Sequence, residues 1–578
     1  MVTAYQPPID DILAALKLFG GLNATSEIPE IAHADESTVG ELLGEFGRWV
    51  AEEVAPLNVV GDRNPATCDS VAKTVTTPPG FKDVYRQFVD AGWPSVPFDP
   101  EFGGGGFPWA VAIAMNEILG AANLAFSLCP LLGQGAIDAI SHHGNVSQKE
   151  MYLAKLISGE WTGTMNLTEP EAGSDVGALR TRAVKAADGT WRIFGQKIFI
   201  TYGEHDMADN IVHLVLARID GAAPGTKGIS CFLVPKFAVN ADGSLGDRNN
   251  AYVVSIEHKL GIHGSPTCVM VYGDDGIGAI GELLGEPNDG MRTMFTMMNN
   301  ARLSVGAQGL SLADRASQMA HTYAAERVQG RAIGGAPGTV SPISQHPDVQ
   351  RMLLTMRANI GAMRALIYTN AYALDVARAH PDPDMRDSAR KTAELLTPLS
   401  KSFCTDLGVE MTSMALQVFG GMGFVEETGV AQLYRDVRIA PIYEGTNAIQ
   451  AIDLVTRKIT IDGGEFVHRV LDNAESAATA ANSRGLTHAI GAAREVTNYM
   501  QERLSTNVAD VLAGATPYLR MLATAIAGGF MAQQLAVPVT DSAGQARNHA
   551  AEFFCEQIAP ATLGLMAAAM AGADALVR

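Results

Sequence analysis

One carboxylate stands apart by its neighbours. Glu444 follows Ile442-Tyr443 and precedes Gly445-Thr446-Asn447. A carboxylate walled by apolar groups is disfavoured as an anion, so its pKa should rise. A helix start capped by Asn447 and Gln450 would oppose that rise. A group held in that balance is a tunable general base; the plainer reading is a first-turn acid of the following helix. Two other segments carry side chains suited to chemistry. In Met165-Asn166-Leu167-Thr168-Glu169-Pro170-Glu171-Ala172-Gly173-Ser174-Asp175, the Ala172-Gly173-Ser174 stretch offers backbone N–H groups and a hydroxyl with little steric cover. That suits a phosphate or amide ligand, or simply a tight turn. In Gly195-Gln196-Lys197-Ile198-Phe199-Ile200-Thr201-Tyr202-Gly203, strand alternation puts Phe199 and Thr201 on one face. A planar ring would meet an aromatic and a hydroxyl together there; an ordinary half-buried strand is the alternative.

These segments sit where the chain changes pattern. Residues 9–158 have helical period, as in 39–54, where Leu42, Leu43, Phe46 and Val50 recur at three and four. Residues 163–284 read as short β-branched or aromatic runs bounded by Gly, Asp, Asn or Pro, which predicts a sandwich or barrel. From 290 onward the chain is helical again, with bundle-length helices over 294–325, 348–379 and 389–419, the last interrupted at Gly420-Gly421. An Ala-rich helical tail follows from 461, with breaks expected at 483–485, Pro517 and Pro538, and a small-residue packing helix over 561–577. The expected fold is α+β and multidomain: a helical region 1–162, a β region 163–285, a helical bundle 286–460 and an added helical region 461–578.

The 578 residues hold 62 acidic and 42 basic side chains, for a net charge of −20. Such a chain lacks the clustered Lys and Arg of a general nucleic-acid binder, but local donors still suffice for a small anion. Six dispersed cysteines without CxxC spacing predict free thiols in a cytoplasmic protein, and thirteen histidines without ligand spacing predict no metal site. No uninterrupted apolar run reaches membrane-spanning length, and no secretory signal is legible at the start. No dinucleotide GxGxxG after a strand, P-loop, GxSxG or HExxH occurs, so a nucleotide cofactor would not rest on a Rossmann unit.

Taken together, the T-E-P-x-A-G-S-D segment at Thr168 to Asp175, the I-x-I-T of Ile198 to Thr201 and the I-Y-E-G-T of Ile442 to Thr446 resemble the acyl-CoA dehydrogenase family. The run from Glu257 to Thr267 looks like the segment that closes that family's β domain, and Gln417-Val418-Phe419-Gly420-Gly421 resembles its adenine-side motif. The match covers about residues 42–459. The resemblance implies bound FAD and oxidation of an acyl-CoA thioester to a trans-2-enoyl-CoA. Glu444 would take the α-proton, and the β-hydrogen would leave as hydride to the flavin. It implies flavin contacts at Met165, Leu167, Thr168, Phe199, Ile200, Thr201 and Thr446. Gly173 and Ser174 would sit at the pyrophosphate, with Ser174 reaching the pantetheine. Arg327, Gln417, Gly420 and Gly421 would be given to a neighbouring subunit's FAD. Asn299, Arg302, Tyr443 and Gly445 would serve the CoA substrate. Asn299 departs from the family's Asp, and a Gly- and Pro-rich insertion at 328–340 replaces its usual aromatic-Gly-Lys run.

The long tail resembles a bacterial subgroup of the family in which an extra helical domain covers a tetramer face. That implies a homodimer. The resemblance also implies reoxidation by an electron-transferring flavoprotein. An acyl-CoA oxidase, which lets O₂ reach the reduced flavin, stays open as an alternative. A DNA-associated alkylation-response flavoprotein fits less well, because its extension should be basic.

Overall fold

The computed structural model describes residues 4–576. In chain order the helices that matter below are α1 (Ile9–Leu18), α2 (Trp109–Ala122), α3 (Leu124–His143), α4 (Val146–Ser158), α5 (Gly290–Glu326), α6 (Pro347–Ala379), α7 (Pro383–Phe419), α8 (Val430–Val437), α9 (Asn447–Asp453), α10 (Glu465–Ala480), α11 (Arg484–Leu504), α12 (Val508–Leu535) and α13 (Ser542–Phe553). The strands of the large sheet are β1 (Trp161–Asn166), β2 (Arg182–Lys185), β3 (Trp191–Thr201), β4 (Asn210–Ile219), β5 (Ile229–Pro235), β6 (Ala251–Ile256), β7 (Thr267–Tyr272) and β8 (Ala279–Leu284). The chain forms two compact units. One holds Met1–Gly47, Pro108–Ala121 and Arg302–Arg578; the other holds Arg48–Phe107 and Ala122–Ala301.

The second unit is built on the sheet, in the order β6-β7-β3-β8-β5-β4-β1. β2 pairs antiparallel with β3 and parallel with β4, so β3, β8, β5, β4 and β2 close a five-strand ring. The sandwich-or-barrel expectation therefore resolves as a barrel, lengthened at one end by β7 and β6 and at the other by the parallel strand β1. Alternation explains the closure. Ile193, Val215, Phe232 and Val234 point inward and are buried together. β1 is rich in Gly and Thr and β2 has only four residues, so neither announces itself by hydrophobicity. α4 is started by a reciprocal capping box between Asn145 and Gln148. α3 is long and apolar enough to cross a membrane by length and composition alone, although Ser127, Gln134 and Asp138 interrupt its apolar run; 78 % of its most apolar window is buried, as in a core helix.

The first unit is helical. α5 and α7 cross where glycines face each other. A Cβ on Gly309 would lie 2.3 Å from the Cys404 carbonyl oxygen, and one on Gly408 would lie 2.8 Å from the Gly309 Cα. Gly309→Ala is accordingly expected to destabilise by roughly 1–3 kcal/mol from backbone overpacking, more than the ~1 kcal/mol it gains in helix propensity. Urea unfolding measures the difference, and a gain in stability would contradict the crossing. α12 packs against α10, α11 and α13, and also against α6 and α7, so the tail is integral to this unit. The break expected at Pro517 is absent: α12 runs through it, because Pro removes one N–H and the packed neighbours on this helix hold the rest. The packing helix expected over 561–577 is instead a 3₁₀ stretch, a single α turn at Met566–Ala569 and a short terminal turn; Val577 lies outside the described residues.

Candidate active site

Glu444 stands on the loop between α8 and α9, in the first unit. Its φ is +55° and that of Gly445 is +82°, two consecutive left-handed residues. For a non-glycine this costs on the order of 1–3 kcal/mol and persists only where surroundings impose it. They do so here from both ends. Gln450 donates its Nε2 to the carbonyls of Glu444 at 3.4 Å and Gly445 at 3.3 Å. Asn447 donates its backbone N–H to the Pro441 carbonyl at 3.0 Å. The cap of α9 is Thr446, whose hydroxyl accepts from the Ile449 N–H at 3.3 Å, and not the expected pair Asn447 and Gln450. Asn447 is diverted inward instead. It donates its Nδ2 to Asp406 Oδ1 at 2.7 Å, and its Oδ1 accepts from Lys401 Nζ at 2.8 Å.

Two cations flank the Glu444 carboxylate, which is itself only half-buried. Arg302, from α5, is 4 % exposed, and Lys401, from α7, is fully buried at 0 %. Burial pushes the Glu444 pKa up, while Arg302 and Lys401 pull against it. The expected rise is thus present, and the opposing groups are two side chains. Burial also lowers Lys401 to about 7, against the pull of Glu444 and Asp406, and lowers Arg302 against Asp453 and Glu444. Tyr443 donates its hydroxyl to Gln308 Oε1. Three polar atoms around this loop are buried with no hydrogen-bond partner among the described residues: Arg302 Nε, Gln308 Nε2 and Gln450 Oε1. Buried polar atoms are normally satisfied, so this cluster is shaped for a polar ligand. Asn299 lies one turn before Arg302 on α5, but its side chain is outside the described residues.

The second unit holds the turn and strand singled out above. The Thr168 carbonyl accepts from the Ile198 N–H at 2.9 Å, which joins the start of the turn to β3. Glu169 and Ala172 close the turn with reciprocal backbone bonds of 3.1 and 3.0 Å. Beneath it lies an ion pair that the sequence reading did not use. Lys197 Nζ, at 0 % exposure, donates to Glu169 Oε1 at 2.8 Å and to the Leu167 carbonyl at 3.0 Å. Burial raises Glu169, but Lys197 and the donors of Thr181 and Arg180 prevail and hold it below its ordinary value. Lys197→Met is expected to cost about 3–5 kcal/mol, the penalty for orphaning one partner of a buried pair. Thermal unfolding with no change would show that the pair does not hold the turn.

Above this support, Gly173 and Ser174 are exposed, and a Cβ on Gly173 would meet nothing within 4 Å. β3 is not regular. Its register against β7 shifts between Lys197 and Ile200, and Phe199 takes φ +60°. The simple alternation expected for Phe199 and Thr201 gives way to this bulge, which leaves the Phe199 ring 58 % exposed. Thr168, Leu167 and Thr201 are half-buried, Met165 is buried on β1, and Ile200 belongs to the barrel core and offers its backbone only. Exposed aromatic, flanking hydroxyls and an open Gly-Ser turn fit a planar ring joined to a phosphate.

Arg327, Gln417, Gly420 and Gly421 form a third group, back in the first unit. All four are exposed. The structure brings them together because Tyr323 near the end of α5 stacks on Phe419 at the end of α7, 4.2 Å between centroids. The insertion after Arg327 is tied off by pairing of Val328 with Pro342.

Family models match nearly the whole chain: acyl-CoA dehydrogenase N-terminal domain over residues 42–160, middle domain over 164–274 and C-terminal domain over 288–459, followed by an acetyl-CoA dehydrogenase C-terminal-like model over 465–578. The 3-methylmercaptopropionyl-CoA dehydrogenase of Ruegeria pomeroyi is 48 % identical over 465 residues, 80 % of this chain and 78 % of that protein. The broad-specificity linear acyl-CoA dehydrogenase FadE5 of Mycobacterium tuberculosis is 36 % identical over 530 residues, 88 % and 86 % of the two chains. Among solved structures, Caenorhabditis elegans ACDH-11 in complex with C11-CoA shares the fold with TM-score 0.77 at 21 % identity, covering 96 % of this chain and 92 % of that one.

Proposed function

The chain belongs to the acyl-CoA dehydrogenase family, and from that premise we propose that it is an FAD-dependent acyl-CoA dehydrogenase with Glu444 as its base. The single observation that carries the reading is the Glu444 loop: a carboxylate with raised pKa, held in a strained conformation between two buried cations and beside three unpartnered polar atoms. FAD, when bound, supplies the acceptor for the β-hydrogen as hydride. Glu444 takes the α-proton as the α C–H bond breaks, and the electron pair becomes the new double bond as the β C–H bond is lost. The main-chain N–H of Glu444 makes no hydrogen bond among the described residues, which leaves it free for the thioester oxygen as enolate charge develops. Arg302, Tyr443 and Gly445 border the same loop and serve the substrate. Asn299 joins them on the strength of the resemblance.

The Phe199 bulge with Thr168 and Thr201 is our candidate bed for the flavin ring, together with Met165, Leu167 and Ile200; Thr446, in the first unit, is kept as a flavin contact on the strength of the resemblance alone. Gly173 and Ser174 are the candidate pyrophosphate turn. The exposure of Arg327, Gln417, Gly420 and Gly421 supports their donation to a second copy, hence a homodimer. Light scattering is expected to give two chains per particle; a stable tetramer would overturn this. We keep the four-part division at 162, 285 and 460, and an electron-transferring flavoprotein as acceptor. Free thiols at all six cysteines support a reducing, cytoplasmic setting.

The test is a panel of acyl-CoA thioesters from C3 to C18, with 3-methylmercaptopropionyl-CoA included, assayed by bleaching of the bound flavin. At least one member is expected to bleach it under anaerobic conditions. Retention of the yellow colour with every member would sink the reading. Peroxide formed at the turnover rate in air would move the assignment to an oxidase.

A further inference from the structure

A cavity of about 290 Å³ lies in the first unit, walled by α1, α5, α6, α12 and α13. It is not the Glu444 site. Its α5 wall begins at Asp314, twelve residues past Arg302, or about 18 Å of helix rise. At the roughly 30 Å³ that one water takes in the liquid, its volume equals that of about nine or ten waters, room for a small organic molecule.

The walls differ from the interior to the rim. Phe19, Ile360, Met531 and Ala550 are buried and apolar. The deep charges are already matched. Arg364 donates Nε and Nη2 to Glu117 Oε1 at 3.0 and 2.6 Å, and Nη2 also to Asp314 Oδ1 at 3.4 Å. Tyr368 donates to Glu117 Oε2 at 2.7 Å, and Gln318 to Asp314 Oδ2 at 2.7 Å. Toward the rim, Asp11 is paired with Arg547 at 2.9 Å, and His321 Nδ1 is bonded to the Ser317 carbonyl at 2.8 Å. Arg357 is the exception. Arg357 lines the cavity and is exposed, and its side chain has no hydrogen-bond or ion-pair partner among the described residues. The cavity therefore lacks one planar anion at its rim and one apolar body within. A guanidinium fork pairs bidentately with a carboxylate.

We propose that this cavity is a second small-molecule site, which takes a short straight-chain monocarboxylate of the length of hexanoate, with the carboxylate on Arg357 and the chain against Phe19, Ile360 and Met531. Hexanol lacks the charge and hexylamine reverses it. Inorganic phosphate carries charge without an apolar body. These three are the discriminating ligands.

The experiment is calorimetric titration of the flavin-loaded protein with its acyl site filled by an unreactive alkyl-CoA thioether. Hexanoate is expected to bind once per chain. Hexanol, hexylamine and phosphate are each expected to bind at least tenfold more weakly, the effect of losing one charge-assisted contact or the apolar one. Arg357→Gln is expected to weaken hexanoate at least tenfold while melting temperature and dehydrogenation stay unchanged. Gly361→Val fills the cavity from α6, where a Cβ meets only the mobile end of Met531 at 3.0 Å, and is expected to abolish binding. Equal affinity for hexanol, an unchanged affinity in Arg357→Gln, or no saturable heat from hexanoate would each overturn the proposal.

Discussion

Glu444→Gln is expected to give folded, yellow, flavin-loaded protein that has lost dehydrogenation by about 10²–10⁴-fold or more, the contribution of a placed general base. The argument rests on geometry before pKa. The substitution keeps the shape of the side chain and the left-handed turn at φ +55°, because the bonds that impose the turn come from Gln450 and Asn447. It removes only the lone pair that accepts the α-proton and the charge that Arg302 and Lys401 face. Three measurements separate these effects: flavin absorbance per chain, melting temperature, and bleaching by an acyl-CoA that reduces the unmodified protein. Unchanged bleaching would place the base elsewhere. Glu444→Asp is the companion variant; it retains the charge but withdraws it by a methylene, and a misplacement of about 1 Å costs on the order of 10²-fold.

Lys401→Met is expected to lower kcat/KM most on the acid side of its pH profile and to return most of it as the pH rises. Glu444 works as the anion, so the rate falls as pH drops through its pKa. Burial raises that pKa, and Arg302 and Lys401 oppose the rise. An opposite charge close to a carboxylate lowers its pKa by about 1–3 pH units. Removing one of two such charges therefore moves the acidic limb of the profile to higher pH. The other charged groups at this locus are Arg302 on α5, Asp406 on α7, and Asp453 and Arg457 from α9 onward; all remain in the variant. Met fills nearly the volume of Lys, and Asn447 keeps its bond to Asp406. A lesion that merely loosened the loop would lower the rate at every pH. An unshifted limb would therefore reject the electrostatic role.

Much of this was legible in the residues, and the failures share a physical cause. The order of helical, β and helical regions follows from periodicity, because each region buries one face against its own core. Glu444 was legible because apolar neighbours and a Gly surround it. Lys401 and Lys197 were not. In sequence each looks like a routine surface lysine, and only the tertiary structure shows both at zero exposure with a polar partner waiting. A clue was present for Lys197, a lone cation inside the β-branched and aromatic run of β3. The cap of α9 was misassigned for a similar reason. Asn447 is a good cap locally, but Lys401 and Asp406, more than forty residues earlier, outbid the helix terminus for its side chain. The bulge at Phe199 has no local signature, since its positive φ is imposed from the neighbouring strand β7.

The packing of α12 on α6 also has a temporal side. On a ribosome, α6 is finished at Ala379, while α12 starts at Val508, about 130 residues later. Met531 follows Ala379 by about 150 residues, so at roughly 5–20 residues per second the face of α6 that it will cover waits about 8–30 s for its partner. During that interval the nascent bundle carries an uncovered apolar stripe, and a chain halted before residue 508 keeps it. The order in which the helices are made thus leaves this face of α6 uncovered until residue 531 has been added.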